Sequence, residues 1–275
     1  MSSKKLVQVI GEQGITRPLL ALLFASTVSV SLVGLRILVT GHQQLFLVWN
    51  LFLAWLPLFF ALQVCRLDRL PSPRRWKFFG AGAAWFLFFP NAPYLCTDLV
   101  HLMSRRAGNF WVDLVVILLF ALNGLLLGFL SLRLMQTLVA RRFGWVTGWL
   151  FTAAVIGLSG FGVFIGRFMR WNSWDVVTNP FGLLGDLANW FGSRAAAQHL
   201  LLFTALFGTF LFLAHVMFSA LTNLQLENWQ MASPARFHAG DDDSHDGGVA
   251  GEARVRVQKE KAGSMTGPAF PRRSW

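Results

Sequence analysis

Two stretches of this chain combine residue types that do chemistry. The first, Gly166-Arg167-Phe168-Met169-Arg170-Trp171-Asn172-Ser173-Trp174-Asp175, puts two guanidinium groups, an amide, a hydroxyl and a carboxylate into ten residues. Arg167 and Arg170 are three apart, so on a continuing helix both face one anion. Planar guanidinium forks match carboxylate and phosphate oxygens. Trp171 or Trp174 adds a face for a cation, a sugar or a lipid tail. The second stretch begins at Pro90-Asn91-Ala92-Pro93, where Asn91 is placed to cap a new helix from Ala92 to about Ser104. On that helix Tyr94, Asp98, His101 and Arg105 share one face. Tyr94 is the only tyrosine beside 27 Phe and 12 Trp. His101 is the candidate general base and Asp98 its orienter, while Asn91, Tyr94, Arg167, Arg170, Asn172 and Asp175 are the candidate substrate contacts. The plain alternative is a kinked helix end with an interfacial polar face, and arginines that snorkel or pair with Asp175 or with headgroups.

Several chemistries are absent from the pattern. There is no phosphate-binding P-loop, no H-E-x-x-H and no G-x-S-x-G. Asp98-x-x-His101 supplies two metal ligands where a catalytic zinc wants three, so Asp113 or Asp175 would have to join; no metal is assigned. No cofactor is indicated.

These residues must be held by a lipid-facing scaffold. Of 275 residues, 55% are hydrophobic and 13% charged, about half the charge of a soluble domain. That composition excludes collagen, coiled coil, disulfide scaffold and wholesale disorder. Six runs approach the ~20 residues that cross a bilayer as helix: Leu19–Val39, Leu45–Cys65, Phe78–Leu95, Trp111–Leu132, Trp145–Gly166 and Leu200–Thr222. They are apolar on every face, which excludes barrel strands. The expected fold is an all-α bundle of six spans, with a third helix broken at its prolines and a short interfacial helix before the last span. Apolar residues in that third run stop at Phe89, so its helix covers only ~18 Å. Asn179 followed by Pro180 reads as cap and first turn of the interfacial segment Phe181–Phe191.

The net charge of +11 does not mark a nucleic-acid partner, because the basic residues sit at span ends, where topology-setting charge belongs. Lys4, Lys5, Arg17, Arg66, Arg69, Arg74, Arg75, Lys77, Arg133, Arg141 and Arg142 fall on one side, against Arg105, Arg106, Arg167, Arg170 and Arg194 on the other. Eleven against five places both termini in the cytoplasm. Both chemical stretches, and Asp113, then emerge outside. Arg36, near the outer end of span one, is expected to snorkel. The first run is too long for a secretory signal and reads as an uncleaved span. Tryptophans such as Trp76, Trp111, Trp145 and Trp190 lie near span ends, the aromatic-belt position.

The domain organisation is a cytoplasmic segment over 1–17, a membrane domain over 18–225 and a cytoplasmic tail over 226–275. The tail carries Asp241, Asp242, Asp243 and Asp246 among Gly, Pro and basic residues and reads as disordered. His238 and His245 around that run are read as part of a solvated charge cluster. Asn50 and Asn123 are read as interhelical hydrogen-bonding residues, and Gly162-x-x-x-Gly166 and Gly144-x-x-x-Gly148 as packing faces. Cys65 and Cys96 should be separated by much of a bilayer, so no disulfide is expected between them.

The strings PNAPYLCTDLVHL (90–102), FALNGLLLGFLSLRLM (120–135) and GRFMRWNSWDVVTNP (166–180) resemble a family of uncharacterised bacterial polytopic membrane proteins, a domain of unknown function. The resemblance spans roughly residues 20–225 and implies a multi-pass fold in the bacterial inner membrane, with no catalytic residues assigned. Three functions stay open: an enzyme or binding protein for an anionic substrate, lipid-linked or free, at the outer face, a transporter lined by the broken third helix, and a non-catalytic accessory or assembly protein. The partner common to all is the lipid bilayer.

Overall fold

A computed structural model of the chain describes residues 15–40, 44–71, 74–104 and 110–232. Arg105 and the tail histidines and aspartates at 238–246 lie outside the described residues. The chain divides into two units. Met1–Ser219 holds all the packing discussed below, and Ala220–Trp275 is described only where it continues the last helix.

Every regular element among the described residues is helical. In order these are α1 (Thr16–Thr40), α2 (Leu45–Asp68), α3 (Arg75–Phe88), α4 (Asn91–Tyr94), a 3-10 segment (Leu95–Ser104), α5 (Phe110–Phe143), α6 (Trp145–Phe168), α7 (Asp175–Thr178), α8 (Pro180–Gly192) and α9 (Arg194–Ala232). Five of them, α1, α2, α5, α6 and α9, are long and apolar enough to cross a membrane. Their outward side chains include Phe24, Leu38, Leu150 and Leu201, apolar and exposed, as a helix in lipid requires. This is a multi-pass membrane protein. The remaining apolar run forms α3, whose 14 residues reach only ~21 Å.

Apolar side chains gain little by leaving lipid for each other, so close backbone approach and polar contacts must hold such helices together. Both are present. A Cβ on Gly124 of α5 would come within 2.5 Å of the Ala92 carbonyl oxygen, and one on Gly162 of α6 within 2.9 Å of the Pro90 ring. The turn around Pro90 is therefore seated between two helices that carry glycine where it touches them. The expected packing role holds for Gly162 and Gly166, the latter against the Tyr94 ring, and for Gly148 against Ala140, but not for Gly144, which has nothing within 4 Å and instead takes φ 95° at the turn into α6. Trp85, 1% exposed, fixes α3 by stacking on Phe151 and directing its indole N–H at Ser131. Asn123 donates to Ser29 at 3.1 Å, tying α5 to α1.

Arg36 does not snorkel. It is 7% exposed and pairs at 2.6 Å with Asp113, itself 1% exposed, while Gln44 donates to the same carboxylate at 2.8 Å. A charge near a helix end stays buried when a counter-ion and an amide are both within reach, since isolated ions in an apolar setting are expensive. At the other end of the bundle Arg142 pairs with Asp68, linking α5 to α2.

Candidate functional site

The chain reverses character at Phe88. Phe88 ends α3, Pro90 has no N–H to continue it, and α4 begins immediately. Asn91 was expected to cap the new helix by accepting from its N–H groups. Instead Pro90 is the capping residue, and the Asn91 amide donates backwards, to the Phe88 carbonyl at 3.0 Å and to Ser173 Oγ at 2.9 Å. The proline leaves carbonyls at the end of α3 without partners, so the amide satisfies one of them.

Nor does an α-helix run from Ala92 to Ser104. After Tyr94 the chain tightens into a ten-residue 3-10 segment, where residues three apart eclipse. Asp98 and His101 therefore still share a line, and Tyr94 reaches the same centre from α4. Runs of this type rarely exceed four residues because their hydrogen bonds are poorer. Side chains from elsewhere support this one. Arg167 Nη2, at the end of α6, donates to the Thr97 carbonyl at 2.7 Å.

Asp98 is the hub. It is 1% exposed; its Oδ1 accepts from Arg167 Nη1 at 3.1 Å and its Oδ2 from Asn50 Nδ2 at 3.0 Å. Arg167 Nη1 also donates to Tyr94 Oη at 3.3 Å, and the guanidinium lies 5.6 Å from the Tyr94 ring centre. His101 Nε2 stands 3.8 Å from Asp98 Oδ1, and its ring leans on Phe46. Burial lifts the Asp98 carboxyl above its ordinary range, while Asn50, Arg167 and His101 pull the other way. Burial, with the Asp98 charge, also pushes the Cys96 thiol up to about 12, so it carries no thiolate at neutral pH. Cys65 and Cys96 are both free thiols.

The two arginines do not act together. α6 stops at Phe168, and Arg170 takes a left-handed backbone, φ 61°, that turns it away from the helical register. Arg167 is 14% exposed and committed to Asp98, Tyr94 and Thr97. Arg170 is exposed and makes no hydrogen bond or ion pair among the described residues. Of the two carboxylates expected to pair with an arginine, Asp98 does so and Asp175 does not. Asp175 instead closes its own turn, accepting from the Asn172 N–H at 2.7 Å, the Asn172 amide at 3.2 Å and Thr178 Oγ1 at 3.3 Å. Asn179 caps α8 by accepting from the Gly182 N–H, with Pro180 in the first turn, as the sequence indicated.

Beside this hub lies a cleft of ≈ 340 Å³. α2 contributes Trp49, Asn50 and Leu53; α3 contributes Phe86 and Leu87; α6 contributes a line from Val155 to Gly166. Pro90, Asn91 and Tyr94 close one end together with Trp171, Asn172 and Ser173, and Leu183 of α8 adds an apolar edge. Of the expected site residues, Asn91, Tyr94 and Asn172 line the cleft. Asp98 and Arg167 stand behind Tyr94, and His101, Arg170 and Asp175 are outside the lining. Asn50 and Ser173 were missed as site residues. Asn50 was legible as a polar residue inside an apolar run, but its partner on another element was not. Ser159 also lines the cleft, buried and with no hydrogen-bond partner for its hydroxyl among the described residues.

No group of three or more His, Cys, Asp or Glu suited to a metal ion occurs among the described residues. The fold and cleft define a multi-pass helical membrane protein with a polar-ended groove. The chain belongs to the family DUF1361, proteins of unknown function, whose model matches residues 49–214. No curated protein matches the chain, and no solved structure does.

Proposed function

We propose that this protein holds an anionic substrate at the outer face of the bacterial inner membrane, in a six-span arrangement with both termini cytoplasmic. In that arrangement α3, α4 and the turn at Pro90 together make the third crossing, shortened on the outer side to leave room for the site. The excess of Lys and Arg at the opposite ends of the spans supports the orientation.

The observation that carries the proposal is which donors the cleft leaves unspent. Tyr94 Oη accepts from Arg167 and keeps its own proton to donate; Ser173 Oγ accepts from Asn91 and keeps its own. Arg170, which precedes the lining residue Trp171 in the chain, supplies an exposed guanidinium. Two hydroxyl donors and a fork suit phosphate or carboxylate oxygens. Arg167 is not the anion receptor. It is a positioning residue that fixes Tyr94 and the 3-10 segment through Asp98. His101 remains the candidate base, 43% exposed with its Nε2 3.8 Å from Asp98 Oδ1.

Untargeted lipid and metabolite analysis of membranes with and without the protein tests this. The expected result is a change confined to phosphate- or carboxylate-bearing species, reproduced by Arg170→Gln. An unchanged profile, or a change among neutral lipids alone, would remove the proposal.

A further inference from the structure

The cleft has a length that an anion alone does not need. Along α6 its wall runs from Val155 to Gly166, roughly 16 Å at 1.5 Å per residue, or about one leaflet of a ~30 Å core. Polar groups gather at the Gly166 end, and the rest is chiefly aromatic and aliphatic. Trp49, Phe86 and Leu158 line it and are 54%, 44% and 52% exposed, so the wall is open on its side, where bilayer lipid lies. Arg170, exposed and left-handed, precedes the lining segment Trp171–Ser173 at the polar end. A water-soluble anion has no use for a leaflet-long apolar wall, and a neutral lipid has none for an unpaired guanidinium.

We infer that the occupant is a phosphate-bearing lipid: one chain lies along α6 in the cleft, and the phosphate sits at the Gly166 end against Arg170 and the Tyr94 and Ser173 hydroxyls. The inference rests on the anionic-site reading and adds the chain and its entry from the side. The head end and the chain end are separable by mutation, because they are made by different residues.

The test uses the full-length protein in detergent and native mass spectrometry with three probes: phosphatidic acid, diacylglycerol with the same chains, and glycerol phosphate. Phosphatidic acid should bind about tenfold or more tighter than either fragment, each missing part removing at least ~1.4 kcal/mol of contact. Leu158→Trp fills the chain wall from an exposed position and should weaken phosphatidic acid while leaving glycerol phosphate unchanged. Phe86→Trp does the same from the facing wall, should Leu158→Trp fail to fold. Arg170→Gln should weaken phosphatidic acid and glycerol phosphate alike. Equal binding of phosphatidic acid and glycerol phosphate, indifferent to both wall variants, would overturn the chain assignment and leave the anionic site standing. Equal binding of phosphatidic acid and diacylglycerol, indifferent to Arg170→Gln, would overturn both.

Discussion

Removing the Asp98 carboxylate should unsettle more than one contact. In Asp98→Ala the Arg167 guanidinium keeps Tyr94 Oη and the Thr97 carbonyl but loses its only counter-ion within 4 Å among the described residues, at 14% exposure. Breaking a buried pair from one side costs about 3–5 kcal/mol, because a charge is left uncompensated. For a chain of this size each kcal/mol moves Tm by about 2–4 °C, so the loss should be roughly 6–20 °C. Arg167→Leu strands the carboxylate instead, 1% exposed with Asn50 as its remaining hydrogen-bond donor, and should cost a similar amount. The double variant Asp98→Leu, Arg167→Leu removes both charges, and apolar replacement of a buried pair is often neutral or better. Its Tm should therefore lie well above that of either single variant. Thermal unfolding of the purified protein in one detergent, for wild type and the three variants, closes the cycle. Single variants within about 2 °C of wild type, or a double variant whose loss equals the sum of the singles, would refute the reasoning.

Three further outcomes follow from the same contacts. Gly124→Ala drives a methyl into the Ala92 carbonyl and should lower Tm and the yield of monodisperse protein, by about 1–3 kcal/mol of overpacking, whereas Gly157→Ala, with open space around it, should match wild type. Because burial raises Asp98 above its unfolded value of about 3.9, the folded state binds the extra proton, and stability should fall as pH rises from about 4 through the folded value; Asp98→Asn should flatten that slope in Tm-against-pH scans. Single cysteines at Ser193 and Arg194, in a chain lacking Cys65 and Cys96, should react with an impermeant reagent from outside and a cysteine at Arg142 should not, the reverse pattern contradicting the orientation.

Hydropathy made the five long helices legible, because lipid demands a continuous apolar run and five of the six expected spans fall within α1, α2, α5, α6 and α9. It did not show where those helices end. α5 runs on past Leu132 to Phe143 through Arg133, Gln136 and Arg141, since a helix leaving the bilayer loses its lipid and not its hydrogen bonds. The proline turn was readable from Pro90 and Pro93, but the 3-10 winding after it was not. That winding is held by Arg167, 70 residues away from Thr97 in sequence. Spacing brought Asp98 and His101 together correctly, because i and i+3 align in either helix type. The same spacing misled for Arg167 and Arg170, whose shared face required α6 to continue past Phe168. Arg36 with Asp113, and Asn50 with Asp98, are long-range pairs, and neither partner's composition or position announces the other.

The proposed occupant of the cleft along α6 is a phosphate-bearing lipid selected from the bilayer. A diazirine side chain no larger than leucine at Leu158, which leaves the wall unfilled, set against the same group at Leu201, a residue of α9 that is 61% exposed, tests this in native membranes. Mass spectrometry of the adducts should show Leu158 enriched in one phosphate-bearing lipid class and Leu201 carrying the bulk membrane mixture, with the enrichment lost in Arg170→Gln. The same mixture at both positions, unaffected by Arg170→Gln, would contradict it.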